Sequence, residues 1–310
     1  MYLWWYGLSY TLGFLILFLW IYRVRDSLDI SHSQAYDLSI VLAFGVLVGG
    51  RLVEVLFYEW AYYGAHPFHI LWIWLGGMST HGILLGGTVG LWVFCRLNNR
   101  SFLQFADQIV IPAAVIMGLG RLGNFIDGQI VGSVTDVWWA VRFPDAEDFR
   151  HAVVLYDGLK NLLLVPALLL IWRFEPPRGV MLGCFLIGYG YIRFFIDFFR
   201  EYRVELLGIP PGQEFNIGMT LAGLAIVVWS FKTREQHLPS PSINKTSAEP
   251  DTAKNHTLAA RRVLFLFLLG VPLVIPSDWT QDVPDRYGKR HQGMEHSKLY
   301  PVITETKKPN

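Results

Sequence analysis

The chain has 310 residues, and 53% of them are hydrophobic. Only 16% are charged, well below the roughly 25% of soluble domains, which indicates a membrane protein. The formal net charge of +1 and the scattered basic residues argue against a nucleic-acid partner. Two cysteines, Cys95 and Cys184, allow neither a disulfide framework nor a zinc site. We expect both to be small buried apolar residues.

Seven apolar segments are long enough, or nearly so, to cross a bilayer, which takes about 20 helical residues. They cover residues 4–22, 36–57, 77–95, 106–123, 158–174, 179–199 and 216–231. The sequence therefore predicts an all-α integral membrane protein whose seven-transmembrane-helix core occupies residues 1–234.

Basic residues follow the first, third, fifth and seventh segments. They are Arg23, Arg25, Arg96, Arg100, Arg173, Arg178, Lys232 and Arg234. The connections after the second and fourth segments are richer in acidic and aromatic residues. The positive-inside rule therefore places the N-terminus outside and residue 232 in the cytoplasm. Nothing near the N-terminus resembles a cleavable signal peptide, so we expect the first helix to stay attached.

Two regions do not have the character of spans. Residues 60–74 are rich in aromatics that prefer the headgroup level, which predicts an interfacial segment. His66 and His69 in this segment are a metal pair or an ordinary interfacial pair, and the lack of a further ligand nearby favours the second. Residues 131–155 are polar with alternating character, which predicts a small exterior arm with short strands or irregular structure.

The third segment carries glycines with a four-residue spacing at Gly82, Gly86 and Gly90. This spacing lines one helix face with small residues and predicts close contact with a neighbouring helix. His81 stands one residue before that face. It is a hydrogen-bonded structural residue or a group with an accessible pKa beside a reacting centre.

Arg193 lies near the middle of the apolar run 180–199. A lone Arg at a helix centre costs roughly 2.5 kcal/mol or more, so it must face a wet cavity, a carboxylate or an anionic ligand. Arg121 closes another apolar stretch. Two arginines in one intramembrane chamber would suit a substrate that carries a phosphate. The glycine spacing of residues 118–123 matches a dinucleotide-binding turn, but a hydrophobic helix precedes it, which excludes that interpretation.

The C-terminal quarter changes in composition. Residues 235–260 are rich in Ser, Pro, Asn, Lys and Thr, which predicts a flexible linker. Residues 261–276 form a short hydrophobic helix, either an eighth span, an interfacial helix or a signal-like segment. The order of charges favours the span, with the polar tail 277–310 outside. We expect removal of residues 235–310 to leave activity intact.

Several motifs together resemble the prolipoprotein diacylglyceryl transferase family. The segment Gly120-Arg121-Leu-Gly-Asn124-Phe-Ile-Asp127-Gly-Gln129-Ile-Val-Gly132 is similar to the family signature Gly-Arg-x-x-Asn-Phe-x-Asn-x-Glu-x-x-Gly. Four further stretches match in the same order. They are residues 5–8, residues 49–51, the Gly-Gly-Met-Ser-x-His-Gly of residues 76–82, and residues 186–200 with Arg193. The resemblance covers about residues 4–234.

The resemblance implies a multi-pass enzyme of the bacterial inner membrane. Members of the family transfer the diacylglyceryl group of phosphatidylglycerol to the thiol of the lipobox cysteine of a preprolipoprotein. Glycerol-1-phosphate leaves and a thioether forms, in the first step of lipoprotein maturation. The implied partners are phosphatidylglycerol, the lipobox segment and membrane lipids, with no nucleic acid. No cofactor or metal is implied, because the lipid is itself the activated donor.

The resemblance also implies site residues. The catalytic set is Arg121, Arg193, His81 and Tyr189. The substrate-binding set is Arg121, Asn124, Tyr6, Gly132, Asp127, Gln129 and Asp197. Fixed guanidinium groups would stabilise charge on the departing phosphate, and His81 is the candidate base for the thiol.

The chain departs from the family pattern at several of these positions. Asp127 and Gln129 stand where the family has Asn and Glu, and Asp197 stands where Glu is more usual. The patch His-Pro-Ser-Gln-Leu-Tyr-Glu is represented by residues 151–157, which end in Asp157. Because Gln129 cannot carry charge, a weakened relative that binds phospholipid or prolipoprotein without turnover is an alternative. A transporter is a third hypothesis, but the sequence shows no internal repeat of the kind that transporters contain.

Overall fold

The computed structural model describes residues 4–73, 76–128, 130–143, 148–200, 211–233 and 254–275. Gln129, most of the predicted linker and the whole of the tail 277–310 lie outside these ranges. The predictions made for them therefore stay predictions.

Nine α-helices carry the fold within the described ranges. They are α1 (Trp5–Val24), α2 (His32–Val53), α3 (Trp60–Ala65), α4 (Thr80–Leu97), α5 (Phe102–Ile126), α6 (Val153–Trp172), α7 (Val180–Ile196), α8 (Pro211–Lys232) and α9 (Lys254–Gly270). A π-helical turn (Glu54–Tyr58) extends α2, and 3-10 turns follow α3 at Pro67–Leu71, α7 at Asp197–Phe199 and α9 at Val271–Val274. The two strands are β1 (Val141–Arg142) and β2 (Phe149–Arg150).

Eight of the described helices are long and apolar enough to cross a membrane, so the protein is an all-α, multi-pass membrane protein. The eighth is the C-terminal helix, which the sequence predicted as a span, an interfacial helix or a signal-like segment. It begins at Lys254, inside the stretch predicted to be linker, and its apolar part runs from Thr257 to Val274. A count that starts at the first strongly apolar residue leaves out the turns before it, and it therefore makes the helix too short to cross a bilayer.

The α2–α4 pair confirms the predicted packing of the glycine face. A Cβ at Gly82 would overlap the carbonyl oxygen of Gly49, and a Cβ at Gly86 would overlap that of Gly45. Glycines on α2 therefore meet glycines on α4, and the two backbones approach more closely than side chains would allow.

Arg51, near the end of α2, organises the segment between α2 and α4. Its buried guanidinium donates to the carbonyl oxygens of Ile70 at 2.9 Å, His69 at 3.0 Å and Trp72 at 3.2 Å, and also to that of Gly76. Gly76 and Gly77 have φ values of 77° and 87°, a conformation that glycine adopts without strain. This turn delivers the chain to the start of α4.

Contacts between aromatic and histidine rings hold the predicted interfacial segment together. The rings of His66 and His69 stack with centroids 5.1 Å apart, and His69 Nδ1 lies 2.7 Å from the hydroxyl of Tyr62. Within the described ranges, no three His, Cys, Asp or Glu residues lie close enough together to hold a metal. The two rings therefore pack on each other and on Tyr62 within the segment, and the absence of a metal site here stays a prediction.

The arm predicted for residues 131–155 contains two short strands. β1 and β2 pair antiparallel, with Val141 opposite Arg150. The amide of Gly132 donates to His151 O at 3.1 Å, and the amide of Ser133 donates to Phe199 O at 2.8 Å. The second of these bonds attaches the arm to the 3-10 turn that follows α7.

Contacts between side chains and backbone bring several helix ends together at one end of the bundle. They include the first turns of α1, α4, α6 and α8 and the last turns of α2, α5 and α7. The opposite end is closed by an apolar core that includes Ile21, Leu38, Phe94 and Phe105, each no more than 2% exposed. The polar residues discussed next lie at the first of these ends.

Candidate active site

Arg121 and Arg193 meet on one carboxylate. Arg121 Nε lies 2.6 Å from Asp157 Oδ2, and Arg193 Nη1 lies 2.7 Å from the same oxygen. The Asp157 side chain is fully buried, whereas the arginine side chains keep 14% and 11% of their exposure. The two arginines therefore share one site, at the joint of α5, α6 and α7.

The second oxygen of Asp157 binds another cation. Lys160 Nζ lies 2.9 Å from Asp157 Oδ1, one helical turn along α6. The same ammonium lies 3.4 Å from the centroid of the Tyr189 ring, a cation–π contact. Tyr189 is 3% exposed. The tyrosine predicted to be catalytic thus packs against the charge cluster.

Asp197 extends the cluster to α8. Its Oδ1 lies 2.9 Å from Arg193 Nη2, and its Oδ2 accepts a hydrogen bond from Asn216 Nδ2 at 3.1 Å. Gln213 Nε2 donates to Phe194 O at 3.0 Å, which fixes the first turn of α8 against α7. The shorter Asp in place of the family Glu therefore still reaches the arginine, since both lie in one helical turn.

Arg121 also contacts two neutral groups. Nη1 donates to Asn124 Oδ1 at 3.4 Å, and Nη2 donates to Thr80 Oγ1 at 3.2 Å. Asn124 is 1% exposed. These contacts fix the direction of the guanidinium, and the predicted role of Asn124 in substrate binding remains a prediction.

His81 stands on the first turn of α4, next to Thr80. Its ring centroid lies 4.7 Å from that of Phe215 on α8. The neighbouring Thr80 accepts a hydrogen bond from Arg121 Nη2, so the half-buried imidazole lies on the same helical turn as a contact of the arginine cluster. Its role as the base remains a prediction.

Tyr6 and Asp127 lie together at the start of α1. Asp127 Oδ2 accepts from the backbone N–H of Tyr6 at 2.8 Å, and Oδ1 accepts from that of Trp5 at 3.2 Å. A carboxylate at the positive end of a helix is favourable. Burial raises the pKa of Asp127, and the two N–H groups act in the opposite direction. Asp127 therefore anchors α1, and its predicted contact with substrate remains a prediction.

Gly132 serves the attachment of the arm. A Cβ there would overlap His151 O and lie 2.9 Å from Phe199 O. Its own carbonyl accepts a hydrogen bond from Arg150 Nη1 at 3.1 Å. These contacts give Gly132 a packing role, and its predicted role in substrate binding remains a prediction.

The sequence analysis did not assign Asp157, Lys160, Asn216 or Thr80 to the site. The sequence did point to Asp157 and Lys160, because both charged residues lie in the apolar helix α6. The argument made for Arg193, that a charge in an apolar span needs a partner, applies equally to them. Asn161 follows Lys160 and is 1% exposed, and neither polar atom of its amide has a hydrogen-bond partner in the part of the chain described. Nothing in the sequence alone pairs Asp157 with two arginines on other helices.

This arrangement can hold an anion. The guanidinium groups are fixed by neighbours on four helices, and they retain partial exposure. In a region of low dielectric, fixed cations stabilise negative charge far more strongly than they would in water. The arrangement therefore suits an anionic group such as a phosphate.

The comparisons with known proteins agree with this geometry. The family model described as prolipoprotein diacylglyceryl transferase matches residues 1–229. The chain belongs to this family.

Curated relatives of the family support the match along most of the chain. A phosphatidylglycerol–prolipoprotein diacylglyceryl transferase of Nitrosomonas europaea is 40% identical over 238 residues, which cover 74% of this chain and 86% of the relative. Proteins with the same name from Pseudoalteromonas atlantica and Cupriavidus pinatubonensis are 39% and 40% identical, over 78% and 74% of this chain and 90% and 87% of their own length. The match to the prolipoprotein diacylglyceryl transferase model ends before α9 begins.

Proposed function

We propose that the protein transfers the diacylglyceryl group of phosphatidylglycerol to the thiol of a lipobox cysteine in a preprolipoprotein. The observation that carries the proposal is the meeting of Arg121 and Arg193 on a single carboxylate oxygen. Family membership and the names of the relatives support the substrates. Asp157 occupies the position between the guanidinium groups that a phosphate oxygen would take.

The reaction exchanges one bond for another. The cysteine sulfur attacks the glyceryl carbon that carries the phosphate, so a carbon–sulfur bond forms as the carbon–oxygen bond breaks. The bonding electrons leave with glycerol-1-phosphate, whose new negative charge falls between Arg121 and Arg193. Removing one such fixed donor typically costs about 10²–10³ in rate.

The thiol proton must leave before or during the attack, since the thiolate is the nucleophile. His81 is our candidate base, because it follows Thr80, which binds Arg121, on the first turn of α4. Tyr189 would support the cluster through its contact with Lys160. Asn124 would orient Arg121 toward the headgroup.

We place the protein in the bacterial inner membrane with its N-terminus outside. The basic connections at one end of the bundle support this orientation. The site then lies at the outer end, where exported preprolipoproteins arrive. A cysteine introduced at Thr233 should react with an impermeant thiol reagent only after the membrane is opened, and reaction in intact cells would reverse the orientation.

A mass assay tests the proposed activity. Purified protein is incubated with a lipobox peptide and phosphatidylglycerol, and the peptide should gain the mass of one diacylglyceryl group. Arg193→Ala should lower the rate by about 10²–10³, since one fixed cation is lost. A lipobox peptide with Ser in place of Cys is the matched control. Folded protein that leaves the Cys peptide unmodified would refute the proposal.

A further inference from the structure

Lys160 is a buried cation in the site to which the mechanism above assigns only a contact with Tyr189. Its side chain is 1% exposed, and it lies on α6 one turn after Asp157. The ammonium is sandwiched between the Asp157 carboxylate and the ring of Tyr189. A Lys in an apolar span is costly and is commonly functional.

The two oxygens of Asp157 bind different cations. Oδ2 binds both guanidinium groups, whereas Oδ1 binds Lys160. Lys160 therefore does not compete with the arginines for the same oxygen. If the guanidinium groups turn to another anion, the carboxylate still has a paired cation at Oδ1. Such a partner is required, because a buried carboxylate without one is strongly unfavourable.

The charges of the cluster also point to an anion. The ion pairs described for it join three cations, Arg121, Lys160 and Arg193, to two carboxylates, Asp157 and Asp197. These five groups carry a formal net charge of one positive unit. A lipid phosphodiester carries one negative charge, so its binding would make the group neutral. Without Lys160 the group would start neutral, and a bound phosphodiester would leave a buried negative excess.

We propose that Lys160 is a positioning residue for the phosphodiester of the lipid donor. It retains Asp157 while Arg121 and Arg193 turn their N–H groups to the phosphate, and it supplies the positive charge that the phosphate neutralises. The identity of the lipid as phosphatidylglycerol rests on the proposed function. The charge argument itself concerns any lipid with a monoanionic phosphodiester headgroup.

A purely structural role for Lys160 makes a different prediction. If the ammonium only stabilises buried Asp157, Lys160→Met should lower stability and leave the lipid affinity of the folded fraction unchanged. If it positions the headgroup, the same variant should lose lipid affinity even where it is folded. The two roles are therefore separated by measuring binding and folding on the same sample.

The test measures binding of phosphatidylglycerol to the full-length protein in nanodiscs, with no peptide present. Lys160→Met should weaken binding by about thirtyfold or more, the loss expected when one charge of a desolvated network is removed. Lys160→Arg keeps the charge and should retain most of the affinity. Diacylglycerol with the same acyl chains lacks the phosphate, so its binding should be equal in wild type and Lys160→Met.

A double variant keeps the test decisive if Lys160→Met folds poorly. Asp157→Asn/Lys160→Met removes one charge of each sign and restores the net positive unit. It should bind phosphatidylglycerol more tightly than Lys160→Met does. A folded double variant that binds as weakly as the single variant would overturn the charge argument, and unchanged affinity in Lys160→Met would overturn the positioning role.

Two further outcomes separate this proposal from the proposed function. If wild type binds phosphatidylglycerol but never modifies the peptide, the transferase activity fails, and the Lys160 variants still decide the present proposal. If inorganic phosphate displaces the lipid as effectively as the lipid itself does, the site recognises free phosphate and the lipid assignment is wrong.

Discussion

At the scale of the residue, the site depends on the carboxylate of Asp157, which the sequence analysis named only as a departure from the family pattern. Asp157 is fully buried and receives three cations from α5, α6 and α7. A buried ion pair contributes little to stability when it is intact, but the loss of one partner leaves charges unpaired. Asp157 therefore holds the arginines in position when no substrate is bound.

We expect Asp157→Asn to destabilise the protein by about 3–5 kcal/mol, the usual cost of breaking a buried pair. Arg121, Lys160 and Arg193 would then lie together without the negative charge of Asp157 to neutralise them. Equilibrium unfolding of the detergent-solubilised protein measures the change. Asp157→Glu is the matched control, since it keeps the charge, and it should lose much less. Equal losses in the two variants would show that side-chain length, and not charge, matters at this position.

At the scale of the element, small residues set how closely the helices pack. α2 and α4 touch through glycine backbones at Gly45, Gly49, Gly82 and Gly86. Close contact of this kind maximises van der Waals packing, which is a main source of helix association in lipid. The start of α4, which carries Thr80 and His81 to the arginines, is positioned by this contact.

Gly86→Ala should therefore cost about 1–3 kcal/mol through overpacking. The added methyl would overlap the Gly45 carbonyl, and backbone cannot move aside as a side chain can. Gly87→Ala is a matched control on the next residue, because its Cβ would meet Val46 Cγ2 at an ordinary 3.5 Å. Thermal unfolding of both variants checks the contrast. A destabilised Gly87→Ala with an unaffected Gly86→Ala would contradict the packing described.

At the scale of the whole molecule, α9 is part of the helical bundle. Arg261 forms a two-point ion pair with Asp37 on α2, at 2.6 and 3.1 Å. Thr11 Oγ1 donates to Leu269 O at 2.7 Å, and a Cβ at Gly7 would overlap Pro272 O. The 3-10 turn after α9 therefore packs against α1 beside Tyr6. A cavity of about 380 Å³ lies between α2, α4 and α9, away from the arginine cluster.

This packing changes the expectation for C-terminal truncation. Ending the chain after Ile275 should leave activity within about twofold, because all the contacts described here for α9 and its 3-10 turn are kept. Ending it before Lys254 should lower both stability and activity, because α1 loses the packing that supports Tyr6. The mass assay and thermal unfolding measure both. Full activity in the shorter chain would restore the original prediction that residues 235–310 have no role in catalysis.

The predictions from sequence were most successful where one residue type carries a large cost. Arg193 in an apolar run required an anionic partner, and the structure supplies Asp157 and Asp197. The glycine spacing of α4 required a close neighbour, and the structure supplies α2. Both inferences use short-range physics that is independent of the rest of the fold.

Contacts between distant segments were beyond this reasoning. Asp157 and Arg121 come from different helices. The guanidinium of Arg51 binds backbone carbonyls that lie 18 to 25 residues further along the chain. Asp127 was predicted from the motif to bind substrate, and in the structure it caps the start of α1, 121 residues away in sequence. Such pairings depend on how helices are rotated about their axes, which one sequence does not specify.

The sequence by itself determined the class of protein, its spans and the two arginines, because a bilayer penalises charge and unpaired backbone so heavily that composition alone reveals them. The tertiary structure alone decided that these arginines share an oxygen of Asp157, that Lys160 holds the other oxygen, and that α9 joins the bundle. Those facts depend on helix rotation and packing, where many alternatives differ by only a few contacts, and the three-dimensional arrangement selects among them.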